Sequence, residues 1–127
     1  MTGYEFLKFL TVNIEGSIST GKEQNDCTAT GFYAIINDDT VLATAKHFTE
    51  HIDSAITVPV HYKENNTIVT IPVTACVEWS WHNEYDIAYC SIQPIMDKFR
   101  EITGKVMYYT AISEENIITK SELILLP

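Results

Sequence analysis

Apolar residues along this chain alternate or run together for roughly five to ten positions and then meet a turn, which is the pattern of short strands. Residues 27–36 (CTATGFYAII) form one such stretch, stopped by Asn37-Asp38-Asp39. Short polar side chains of that kind favour tight turns. Residues 40–45 return, so the pair reads as a hairpin. Residues 54–62 (SAITVPVHY) and 67–73 (TIVTIPV) flank Lys63-Glu64-Asn65-Asn66 as a second hairpin. Pro59 and Pro72 cost ladder hydrogen bonds and point to edges or bulges. Residues 75–79, 86–92 and 105–111 complete about six strands after an N-terminal stretch, 6–18, that reads as partly strand-like or helical.

One segment carries a helical pattern. Residues 94–102 (PIMDKFREI) place Pro94 in a first turn and have Gly104 just past the end, the usual asymmetry of helix termini. One helix among many antiparallel strands predicts an all-β barrel or sandwich. Residues 113–121 are polar and turn-like, and 122–127 (ELILLP) end on an apolar run that reads as a connector cut short.

Length fits this picture, because a chain of 127 residues buries roughly two-thirds of its unfolded surface and makes one domain with a real core. Charge narrows the partners. The balance of 8 basic against 17 acidic residues, a formal net charge of −9, argues against nucleic acid, whose affinity for proteins comes from clustered Lys and Arg. The three cysteines, Cys27, Cys76 and Cys90, are odd in number and lack a C-x-x-C spacing, so they read as reduced thiols. The N-terminus has no basic region leading into an apolar core, and no apolar run approaches the ~20 residues that span a bilayer. These features predict a cytoplasmic protein without membrane contact. Asn65-Asn66-Thr67 matches a glycosylation acceptor, which without an export signal reads as a chance match.

The chemistry centres on Val41-Leu42-Ala43-Thr44-Ala45-Lys46-His47, an apolar run ending in a histidine, and on the later Asp86-Ile87-Ala88. Histidine serves as a general base near neutral pH, best when a carboxylate holds its other ring nitrogen in one tautomer. His47 and Asp86 could form that pair only if the fold brings them together. Asp53 is the alternative carboxylate. Trp79, Trp81 and His82 could wall such a site, and Cys90, inside an apolar run, reads as a small buried hydrophobe rather than a nucleophile.

Gly31-Phe32 opening a strand, then the segment ending in His47, then Asp86-Ile87-Ala88, resembles the first half of a chymotrypsin-like (trypsin-like) serine peptidase. The resemblance spans residues 28–92. It implies a six-stranded antiparallel Greek-key barrel with one short helix, catalytic His47 and Asp86, no cofactor and no metal, and a peptide or protein substrate. It also implies a second, C-terminal barrel bearing the nucleophile in a Gly-x-Ser-Gly turn. Ser17, Ser19, Ser54, Ser80, Ser91, Ser113 and Ser121 all lack that setting, so the chain is expected to be the N-terminal half of an endopeptidase, inactive alone. Lys46 stands where the family has a small residue, Phe48 where secreted members often have a cysteine, and an Ile-Val-Gly-Gly-like N-terminus is lacking. These departures point to a bacterial-style intracellular member.

Two other readings compete. His47-Phe48-Thr49-Glu50-His51 is H-x-x-E-H, the inverted zincin signature, in which two His one turn apart on a sustained helix hold zinc. Alternatively the barrel is a non-catalytic binding or regulatory module, which would be favoured if His47 and Asp86 stood beyond hydrogen-bond reach of one another.

Overall fold

The computed structural model describes residues 9–20 and 23–112. Strand β1 (Thr11–Thr20) buries Val12 and Ile14 and exposes Thr11, Asn13 and Glu15, the period of two that puts alternate side chains on one face. It pairs with β2 (Glu23–Ile36), which pairs with β3 (Asp39–Thr44) through a two-residue turn. Asn37 and Asp38 hold φ values of 50° and 67° there, as the mirror-image hairpin turn demands at both central positions. A four-residue helix, α1 (Lys46–Thr49), leads to β4 (Ala55–Glu64). Its inward residues Ile56, Val58 and Val60 are fully buried. The hairpin to β5 (Thr67–Cys76) repeats the positive-φ turn at Asn65 and Asn66. Two short strands, β6 (Ser80–Trp81) and β7 (Ala88–Ser91), precede α2 (Gln93–Thr103).

These strands make one antiparallel sheet of seven in the order β5-β4-β1-β2-β3-β7-β6. The molecule is all-β in character, but the expected six-stranded closed barrel is corrected to an open ladder that ends at β5 on one side and β6 on the other. The cause lies in residues 77–79. Of the expected strand 75–79, Ala75 and Cys76 close β5 opposite Ile56 and Ala55, and the rest is a corner: after Cys76 the chain leaves β4, Val77 drops into the core at 5% exposure, and its N–H donates to the Ser54 carbonyl at 3.0 Å. Pairing resumes at Ser80, opposite Tyr89, and continues to Trp81, opposite Ala88.

The helix expected at 94–102 is α2, with Pro94 in its first turn and Gly104 closing it at φ 70°. α2 lies against β5, and its buried Ile95 and Phe99 join β1, β2, β3, β4, β5 and β7 in one core. Residues 105–111, expected as a strand, run without a regular ladder. Met107 fills the core, while Tyr108 N–H donates to the His61 carbonyl, Thr110 N–H to that of Phe9, and Ile112 bridges Ala34 in parallel. Three different partners take the hydrogen bonds that a strand would give to one. No helix among the described residues is long and apolar enough to cross a membrane. The readings of 113–121, of 122–127 and of the first residues of 6–18 lie outside the described residues.

Candidate functional site: a histidine and aspartate pair

His47 is delivered by the most enclosed strand of the sheet. Val41, Leu42, Ala43 and Thr44 are all buried, and the Thr44 hydroxyl donates to the Thr30 carbonyl at 3.0 Å, satisfying a group that would be costly to bury unpaired. Ala45 remains extended (φ −71°, ψ 133°), and the chain then turns into α1, which packs Phe48 against the core and leaves His47 exposed. Small residues before the histidine let the strand lie close beneath it.

Asp86 comes from the loop between β6 and β7. Trp81↔Ala88 pairing closes the base of that loop, reinforced by His82 N–H donating to the Ile87 carbonyl at 2.9 Å. Within it, His82 Nδ1 accepts the N–H groups of Glu84 (3.0 Å) and Tyr85 (3.2 Å). The His82 and Tyr85 rings pack 4.9 Å apart. Asp86 therefore belongs to a braced loop rather than to the strand start at which the sequence pattern puts it.

The fold brings the two residues together across 39 positions. Asp86 Oδ2 lies 2.6 Å from His47 Nδ1, and Oδ1 accepts the backbone N–H of His47 at 2.8 Å. The Asp86 carbonyl accepts Lys46 N–H at 3.2 Å. The hydrogen bond with the His47 ring, followed by the one from the His47 backbone, holds the Asp86 carboxyl below the usual carboxylate range. An ionised Asp86 can only accept, so Nδ1 carries a proton, and in the neutral ring the lone pair is left on Nε2. Nε2 has no hydrogen-bond partner among the described residues, and the imidazole side chain is 75% exposed. The pair can thus take up a proton from outside.

The other candidates separate cleanly. Asp53 accepts from the Ser19 hydroxyl at 2.7 Å and has no bond to His47. Cys90 is buried, and burial pushes its thiol up to about 12, so it is no nucleophile. Trp79 packs against the core, whereas Trp81 is exposed beside α1. Among the described residues no serine hydroxyl bonds His47: Ser17 donates to Asp26 and Ser91 accepts from Gln93.

The helix that the zinc reading needs ends at Thr49, with Glu50 and His51 beyond it. His47 Nδ1 is already taken by Asp86, and among the described residues no group of three or more His, Cys, Asp or Glu gathers as a metal site would require.

Sequence reasoning missed Thr49 and the role of Lys46. The Trp81 indole N–H donates to Thr49 Oγ1 at 2.8 Å, Thr49 donates to the Lys46 carbonyl at 2.8 Å, and Lys46 Nζ stands 5.7 Å from the centre of the Trp81 ring. A Thr two positions after the histidine carries no signal of its own. No family model matches the chain, and no curated protein or solved structure matches it.

Proposed function

We propose that this chain supplies the general base and its orienting carboxylate to a trypsin-like serine endopeptidase. The observation that carries the reading is the double acceptance by Asp86, which takes both the ring and the backbone N–H of His47. One carboxylate so placed fixes the ring's tautomer and its orientation together, which a general base needs and a chance surface contact does not. In the reaction, His47 Nε2 takes the proton from a serine hydroxyl as that oxygen attacks the peptide carbonyl. Asp86 steadies the imidazolium formed, and His47 then returns the proton to the leaving amine. The nucleophile and the amides that hold the oxyanion come from a second barrel outside these residues, since no serine in the sequence sits in a Gly-x-Ser-Gly turn.

A non-catalytic module calls for a separated pair, and a 2.6 Å contact speaks against it. The test is to express the whole reading frame that encodes the chain and treat it with a fluorophosphonate probe and a fluorogenic peptide. Labelling and turnover are expected from that product, with turnover abolished by His47→Ala, and neither from the 127 residues alone. Labelling of the 127 residues by themselves, or turnover indifferent to His47→Ala, overturns the reading.

A further inference from the structure

We infer that Trp81 is a positioning residue for the His47–Asp86 pair, acting through Thr49. The inference rests on the reading of that pair as a working base and its orienter, and concerns what fixes the distance between the two elements that carry it.

α1 is a four-residue helix with no side-chain cap, far too short to hold its shape unaided. Its two leading residues, Lys46 and His47, make all the contacts to Asp86. Those contacts form one cross-link between α1 and the β6–β7 loop. Trp81 makes the other. It sits at the base of that loop, paired with Ala88, and its indole N–H reaches Thr49 at the far end of α1.

Thr49 is buried, and its hydroxyl is used twice, accepting from Trp81 and donating to the Lys46 carbonyl within α1. A chain of two hydrogen bonds thus runs from the Asp86 loop into the backbone of the residue preceding His47. Two cross-links at different points fix both the separation and the tilt of α1 against the loop, whereas one would leave a hinge. The Trp81 ring is half exposed, so core filling does not explain its place. Lys46 lies over that ring, an arrangement worth making for a cation on an aromatic face. Where the family resemblance calls for a small residue before the histidine, this chain has a lysine whose ammonium stands over the Trp81 ring.

The experiment follows the Asp86 carboxyl carbon by NMR through an acid titration of the 127-residue protein. Wild type is compared with Trp81→Phe, which keeps a ring but loses the N–H donor, with Thr49→Val, which loses the hydroxyl, and with Thr49→Ser, which keeps it. The titratable groups around Asp86 are Lys46 and His47 on α1 and His82, Glu84 and Tyr85 on its own loop, and none is altered by these variants. Wild type and Thr49→Ser are expected to titrate together below the usual carboxylate range. Trp81→Phe and Thr49→Val are expected to move the midpoint upward, as the bonds from His47 lengthen.

A thermal midpoint that falls while Asp86 titrates as in wild type overturns the inference, since a merely structural clasp behaves so. A Thr49→Ser shift as large as that of Thr49→Val overturns it too, as does a wild-type Asp86 in the ordinary range. None of these readouts needs a nucleophile, so failure of the whole-frame product to hydrolyse peptides bears on the peptidase reading and leaves this one standing.

Discussion

A Cβ placed on Gly31 would stand 2.7 Å from the carbonyl oxygen of Ala43 on the neighbouring strand and 2.7 Å from Ile14 Cδ1. Ala43 lies in the strand that ends shortly before His47, so the bare glycine lets β2 approach that strand closely. Backbone oxygen cannot swing aside as a side-chain tip does. Gly31→Ala is therefore expected to destabilise the fold by about 2 kcal/mol through overpacking, measured by urea unfolding, and to loosen the amide exchange protection of β3.

Asp86 gives a pH signature with a definite sign. Its folded pKa lies below the unfolded value, so its contribution to stability is present above the ordinary carboxylate pKa and is lost as pH falls through the lower folded value. Wild type and Asp86→Asn should thus differ in thermal midpoint at neutral pH and converge in acid, below the usual carboxylate range. The exposed pair makes the difference small. If the chain serves the peptidase proposed above, the same variant is expected to lower that product's kcat on the order of 10⁴-fold, because an amide no longer enforces the tautomer. A gap that persists unchanged into acid would refute the linkage.

How much of this could be read from the residues varies with the reach of the force involved. Turns were legible because Asn37-Asp38 and Asn65-Asn66 meet the demand for positive φ locally. The helix was legible because Pro94 and Gly104 mark its ends. The pairing of His47 with Asp86 was legible as a possibility, since a strand end and a later strand were recognisable, although Asp86 proves to sit in a loop. Residues 77–79 and 105–111 were not legible. Both are apolar and extended, and local pattern cannot tell a laddered strand from a corner whose N–H groups find scattered carbonyls. The Trp81–Thr49 bond was hidden for the same reason, depending on two positions 32 residues apart.

The cysteines offer a chemical check on the sheet. Cys76 is exposed at the end of β5, while Cys90 is buried on β7 with its thiol pushed up to about 12 by loss of solvent. In native protein at pH 8, a maleimide or aromatic disulfide reagent should modify Cys76 promptly and leave Cys90 untouched until the chain unfolds. Peptide mapping after timed quenching reads this directly. Prompt labelling of Cys90 would mean that β7 is not held against β3 as the ladder at Leu42↔Cys90 requires.

Phe99 and Ile102 stand three residues apart on α2 and answer different questions. Phe99 is 1% exposed, packed 5.5 Å from the Tyr62 ring and joined to the common core. Ile102, on the same helix, is 56% exposed. If α2 is the element that covers β5, truncating the first leaves a cavity at the junction of helix and sheet, at a cost of about 3–5 kcal/mol for Phe99→Ala. Ile102→Ala removes little from a buried surface and should stay within about 0.5 kcal/mol of wild type. Since a domain of this size is stable by only about 5–15 kcal/mol, the first variant should show a markedly lower urea midpoint. Equal costs for the two variants would mean that α2 does not seat Phe99 on the sheet, and with it would go the cover of the β5 edge.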